Sequence, residues 1–325
     1  MTKVLIIGGG GMVGQKFAAS LAAEGLGDDS TPDVTLFDVH FPENGAPATH
    51  RITGDITDVA TVNELAASRP DMVFHLAAIV SGEAETNFDK GWQINMMSFW
   101  NFLEALRAQH EASGGTYRPR IVFTSSIAVF GGPYPDKIDD LFPRAPLTSY
   151  GAQKAISELM LGDFSRKGFV DGISIRLPTI CVRPGKANLA ASSFFSGIIR
   201  EPLNGKEAIL PVSPDVRHWH ASPRSAVGFL RHSATLDLDL LQDRRALNLP
   251  GVSCTVAEQI DALRDVAGAD VVKLIRSEPD EAINRIVQGW PRDFDPQRAI
   301  ALGYRADADF RSIIETYIAE DLPKS

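Results

Sequence analysis

An α/β fold, a doubly wound parallel sheet with a smaller α/β C-terminal lobe, is predicted by three observations in this sequence of 325 residues. Short apolar strands alternate with longer helical segments over Val4 to Ile7, Val34 to Phe37, Met72 to Leu76, Ile121 to Ser125 and Gly172 to Leu177. Alternation of this kind implies right-handed crossovers and a parallel sheet covered on both faces, the Rossmann-type arrangement. The first strand, from Lys3 to Ile7, runs straight into four glycines before an amphipathic segment from Gln15 to Glu24. Beyond Leu177 the alternation stops and an apolar helix from Ser192 to Leu203 follows. The expected division is 1–178 for the sheet domain, with 213–250 returning to it, and 179–212 with 251–325 for a substrate lobe.

Composition narrows the class. At 44% hydrophobic and 22% charged the chain is an ordinary globular protein, longer than one core usually serves. The net charge of −9 argues against nucleic acid or an anionic membrane as a partner. No apolar run reaches the roughly 18 to 20 residues of a membrane helix and no signal-peptide pattern stands at the N-terminus, so a cytoplasmic location is expected. Cys181 and Cys254 are too few and too far apart for a disulfide framework or a zinc knuckle, and no metal is expected.

In the glycine turn Gly8, Gly11 and Gly14 fall three residues apart, which lets backbone approach a diphosphate closely, while the N–H groups of Met12 and Val13 open a helix whose dipole favours the charge. Asp38 closes the second strand where a dinucleotide fold puts its ribose ligand. A carboxylate there accepts from both adenosine hydroxyls and repels a 2′-phosphate, so NAD is expected rather than NADP. The run Arg51 to Thr57 gives a further short strand ending in Asp55, with Asp55 and Ile56 near the adenine; a helix cap for the segment from Val59 is the other role open to Asp55.

Leu76, Ala77 and Ala78 end the next strand and allow close passage of ribose and nicotinamide, whereas His75 inside the apolar strand reads as a core residue. Ser81, in the loop that follows, is a candidate substrate contact. The helical stretch Trp92 to Gln109 carries Asn95 near its start, placed to hold a water or a backbone group by the cofactor, and a stripe of Met96, Phe99, Trp100, Leu103 and Leu106 that serves as core or dimer surface.

The chemistry concentrates in two places. Phe123-Thr-Ser-Ser126 ends a strand, and Tyr150 and Lys154 lie four apart on one face of a helix that follows a proline-rich loop. A phenol with an ordinary pKa of about 10 serves as a base near neutrality only if cations stabilise the phenolate, and Lys154 and an oxidised nicotinamide both qualify.

Taken together, the glycine turn, Asp38, Ser126, Tyr150 and Lys154 resemble the extended short-chain dehydrogenase/reductase family, which includes nucleotide-sugar epimerases, and the likeness covers nearly the whole chain. It implies Ser126 as the catalytic serine, Tyr150 as general acid/base, Lys154 as the residue that binds the nicotinamide ribose and lowers the tyrosine pKa, and Ser125 as their neighbour on the cofactor side. It also implies that the backbone of Pro178 to Ile180 lies beside the nicotinamide, and that helices such as Trp92 to Gln109 pair in a homodimer. Departures narrow the reaction. Ile127-Ala128 stands where dehydratases of the family have Asp-Glu, and Thr179 stands where epimerases usually have an Asn on the substrate diphosphate. The resemblance therefore implies NAD-dependent oxidation of the C2 hydroxyl of a small sugar acid; epimerisation with retained NAD and oxidation of L-threonine are the alternatives. A carboxylate substrate calls for a guanidinium, and Arg183, Arg217 and His218 are the candidates.

Overall fold

The chain opens with a strand whose last four residues, Val4 to Ile7, are each no more than 1% exposed, as an apolar run covered on both faces must be. The computed structural model describes residues 1–185 and 191–323. Its strands are β1 (Lys3–Ile7), β2 (Asp33–Asp38), β3 (His50–Thr53), β4 (Met72–His75), β5 (Arg120–Ser126), β6 (Asp171–Leu177), β7 (Thr179–Ile180), β8 (Ala208–Leu210), β9 (Arg217–Ala221), β10 (Ala246–Asn248), β11 (Val252–Thr255) and β12 (Ile275–Ser277). They fall in two units. One comprises Met1–Val129, Thr148–Arg176 and Val227–Leu247, the other Phe130–Leu147, Leu177–Ala226 and Asn248–Ser325.

The first unit is built on a seven-stranded sheet of order β10-β6-β5-β4-β1-β2-β3. β1 runs parallel to β2 and β4, as do β2 to β3 and β4 to β5, with Ile7 opposite Phe37 on one side and His75 on the other. The chain leaves β1 for β2 on one side and later returns to β4 on the other. The crevice beyond Ile7 is thus a topological switch point, where open α/β sheets bind ligands. β3 is an exposed edge strand that stops at Thr53, so Asp55 lies beyond it rather than at its end.

The helical stretch around Asn95 is interrupted. A helix Phe88–Trp92 passes through a π-turn, Gln93–Met97, into a helix Ser98–Ala112. Hydrophobic spacing does not register one extra residue in a turn, which is why the sequence reads as a single helix. Of the apolar stripe, Phe99, Leu103 and Leu106 are fully buried, each worth about 1.5–3 kcal/mol, whereas Trp100 is 40% exposed.

The second unit holds a three-stranded sheet, β11-β9-β7, and the pair β12-β8. Around them Phe195, Ile198, Ile199, Leu263, Ile313 and Ile314 form a core. Besides the border residues Leu177, Pro178 and 248–250, two longer segments expected in the first unit belong here. Residues 213–226 do so because β9 pairs with β7 and β11, while Ser222 and Ser225 both donate to Asp307. Residues 130–147 do so because Ile138 bridges to Phe294 and Phe130 packs on Phe142 and Phe294. Among the described residues no helix is long and apolar enough to cross a membrane.

Three buried imidazoles give stability a pH dependence. His75 in the first unit is held down to about 3, chiefly by burial and then by the charge of Lys154. His218 in the second is held to about 4 by burial, and His220 is also lowered. An unfolded imidazole gains its proton near pH 6.5, so below that point the unfolded state binds more protons, and each buried histidine removes about 1.4 kcal/mol per pH unit. Urea denaturation at pH 7 and pH 5 should show a lower midpoint at pH 5. Equal midpoints would contradict neutral burial.

Candidate active site

At the end of β1, Gly8 takes φ +89, and its N–H and that of Gly9 bond to the Phe37 carbonyl at 2.9 and 3.0 Å. A Cβ on Gly8 would stand 2.6 Å from the Ala77 nitrogen, and one on Gly14 would stand 2.4 Å from the Gly8 oxygen. Gly11 caps the helix Met12–Glu24 with no side-chain hydrogen bond, so the first N–H groups of that helix remain available to a ligand. Gly10, outside the three-residue spacing, is as constrained as the others, since its Cβ would meet the His40 oxygen at 1.9 Å. Its N–H donates to Asp38 Oδ2 at 2.9 Å, while Asp38 Oδ1 accepts from Val39 N. Gln15 is a further residue that motif spacing does not reveal: its amide donates to the Gly9 carbonyl and accepts from Ala46 N, tying the turn to the loop after β2.

Leu76 and Ala77 both donate to the Ile7 carbonyl, and together with Ala78 they remain partly accessible beside the turn. Asp55 accepts from the N–H and hydroxyl of Thr57, and Ile56 is 5% exposed. The cap of the helix Val59–Ala67 is Asp58, not Asp55. Among the described residues this is a cradle in which backbone packs too closely for a Cβ at Gly8, Gly10 or Gly14, beside an uncapped helix N-terminus and a carboxylate at the β2 end. It fits a dinucleotide.

The helix Ser149–Arg166 starts where Thr148 accepts from Gly151 N at 3.1 Å, and it packs against β5. Ser126 Oγ accepts from Ala128 N at 3.1 Å, and the Ser126 side chain favours the Tyr150 phenolate. Lys154 is 1% exposed, and its ammonium donates to the Thr124 carbonyl at 2.8 Å and lies 4.6 Å over the Phe123 ring. The same nitrogen is 5.7 Å from the Tyr150 ring centroid. Burial pushes the phenol up to about 12, with Ser126 opposing it, and burial pushes Lys154 down to about 7 against the attraction of Glu158. Among the protein's own groups desolvation is the larger influence on the phenol, and the ammonium faces the ring and a carbonyl.

Two further residues are fixed by protein partners, Asn95 by a backbone group as expected. The Ser125 hydroxyl donates to Glu158 at 2.6 Å and the residue is 3% exposed, so its side chain faces the interior. Asn95, 1% exposed, accepts from Ile79 N and donates to the Ile79 carbonyl and to Gln153 Oε1. Its amide positions the backbone just before Ser81 and has no accessible face for a ligand. Ser81 opens the short helix Ser81–Thr86 and is half-buried. His75, between Phe99 and Phe123, remains a core residue.

In the second unit Pro178 is buried, and Thr179 and Ile180 form β7. His218 bonds to Thr179 Oγ1 at 2.7 Å and the Pro291 carbonyl at 3.0 Å and stacks on Phe195, so both ring nitrogens are engaged and the ring is neutral. It supplies no charge for a carboxylate. Arg217 donates to the Ser253 carbonyl and pairs with Glu258 at 3.2 Å, an exposed ion pair of small worth. Arg183 differs: half-buried, with its guanidinium donating to Ser192 Oγ at 3.4 Å, it has no acidic partner among the described residues.

Comparison with known proteins agrees with this geometry. The model of the NAD dependent epimerase/dehydratase family matches residues 4–238, and the chain belongs to that family. It is 45% identical to D-erythronate dehydrogenase from Cupriavidus necator, over 98% of both chains. It is 41% identical to D-erythronate dehydrogenase from Haemophilus influenzae, over 98% of this chain and 100% of the relative. A crystal structure described as the nucleoside-diphosphate-sugar epimerase from Agrobacterium tumefaciens is 51% identical, with a TM-score of 0.95 over 100% of this chain and 96% of that one. The chain is an NAD-dependent dehydrogenase acting on a CH–OH carbon.

Proposed function

We propose that the protein oxidises the C2 hydroxyl of a small sugar acid, D-erythronate to 2-dehydro-D-erythronate, and reduces NAD. The observation that carries this reading is full-length identity above 40% to D-erythronate dehydrogenases of two organisms. When bound, NAD accepts the hydride. Gly8, Gly11, Met12, Val13 and Gly14 hold its diphosphate, Asp38 the adenosine ribose, Asp55 and Ile56 the adenine, and Leu76 to Ala78 with Pro178 and Ile180 the nicotinamide side. Tyr150 takes the hydroxyl proton and Ser126 donates to the same oxygen. A phenol near 12 lies about five pH units above neutrality, roughly 7 kcal/mol, which positive charge beside it has to offset. Lys154 is the resident source of that charge.

Arg183 holds the substrate carboxylate, a reading supported by its guanidinium without an acid, and Ser81 and Thr179 contact the substrate hydroxyls. Arg183→Ala should raise KM for the acid about tenfold or more and leave KM for the corresponding amide nearly unchanged. Equal effects on both substrates would remove Arg183 from carboxylate binding.

The description of the A. tumefaciens structure favours a second reading, epimerisation of a nucleotide sugar with NAD retained. Steady-state NADH absorbance separates the two. Purified protein with NAD should produce net NADH from D-erythronate and none from L-threonine or UDP-sugars. Silence with every acid, together with retained NAD and conversion of a UDP-sugar, would establish the second reading instead.

A further inference from the structure

Glu158 lies one helical turn beyond Lys154 and two beyond Tyr150, so the three share one face of the helix Ser149–Arg166. Its side chain is completely buried and accepts hydrogen bonds from two residues. Ser125 Oγ donates to Oε1 at 2.6 Å, Arg176 Nε to Oε1 at 2.9 Å and Arg176 Nη2 to Oε2 at 2.8 Å. Ser125 is on β5 and Arg176 on β6, so one carboxylate fastens the helix to two neighbouring strands. β5 meets the helix with three consecutive residues. The Thr124 carbonyl accepts from Lys154, the Ser125 hydroxyl donates to Glu158, and the Ser126 side chain favours the Tyr150 phenolate. A shift of the helix along the strand would break the two bonds together and move Tyr150 away from Ser126.

Charge leads to the same residue. Lys154 is buried with a carbonyl and two aromatic rings around its ammonium. The titratable groups facing it are Tyr150 and Glu158 on its own helix and neutral His75 on β4, with Arg176 reaching it from β6 through Glu158. A buried ammonium is kept charged by a nearby carboxylate, and a bidentate guanidinium holds that carboxylate in place.

We propose that Glu158, clamped by Ser125 and Arg176, is a positioning residue that seats the Tyr150–Lys154 pair on β5 and acts as the counter-charge of Lys154. The inference rests on the dehydrogenase reading only for the roles of Tyr150 and Lys154, and its test does not require turnover. Protein carrying ε-13C lysine, with the Lys154 resonance assigned by Lys154→Arg, is titrated by NMR. In Glu158→Gln the Lys154 midpoint should fall by about one pH unit or more relative to wild type. Ser125→Ala, the milder change, should lower it by less, and Ser125→Thr should restore it. The pH profile of kcat should move in the same sense, its alkaline limb beginning at lower pH, with KM for NAD unchanged. A Lys154 titration unchanged in both Glu158→Gln and Ser125→Ala would overturn the proposal, even if both variants melt earlier, because lowered stability alone marks a structural clamp. A raised KM for NAD in Ser125→Ala with Lys154 unmoved would also overturn it and return Ser125 to the cofactor. Inactive wild type with a shifted Lys154 would sink the sugar-acid reading and leave this one standing.

Discussion

Tyr150→Phe should lower kcat by about 10²- to 10⁴-fold, the usual contribution of a positioned acid/base, while NAD affinity stays within about twofold of wild type. The ring remains, so its packing against Lys154 is kept; what goes is the hydroxyl whose ionised form Ser126 favours. The phenol is already held up near 12 and half-buried, so its removal leaves no buried charge without a partner. Rates of NADH formation and fluorescence titration with NAD separate the two effects. A variant with undiminished kcat would place the base elsewhere.

Gly8→Ala should be strongly damaging for a single added methyl. The residue holds φ +89, where an L side chain costs on the order of 1–3 kcal/mol. The new carbon would also lie 2.6 Å from Ala77 N and 2.9 Å from Leu76 C, backbone atoms with no rotamer to yield. The turn must open, and NAD affinity should fall at least tenfold along with the melting temperature. Gly162→Ala is the control. It lies inside the helix Ser149–Arg166 at ordinary φ with nothing within 4 Å of the added carbon, so it should be neutral or stabilising by up to about 1 kcal/mol. Equal melting temperatures for the two variants would show that the turn is not under the constraint described.

Residues whose role follows from local chain geometry were legible in the sequence. The glycine turn needs glycine wherever strand meets helix at a diphosphate, Asp38 sits at a strand end, and Tyr150 and Lys154 share a helix face by spacing alone. Residues whose role depends on a distant partner were not. Arg217 looks as available as Arg183 until Glu258 takes it, and His218 looks ionisable until Thr179 and Pro291 claim both nitrogens. Ser125 and Ser126 are adjacent and chemically identical, yet only the fold sends one to Glu158 and the other to Tyr150. Glu158 was within reach, since the four-residue step from Tyr150 to Lys154 repeats once more. Arg176, which fixes it, comes from another strand.

Asp38 has a consequence for anyone wishing to redesign the nucleotide preference. Its two oxygens already accept from Gly10 and Val39, so the group that would reject a 2′-phosphate also fastens the glycine turn to the end of β2. Exchanging it for a small or basic residue would change selectivity and slacken the turn in one step, and weaker binding of both nucleotides would conceal any gain. Asparagine removes the charge while keeping one acceptor for Gly10. A switch of preference therefore has to begin from that substitution, with the cation introduced on a neighbouring residue.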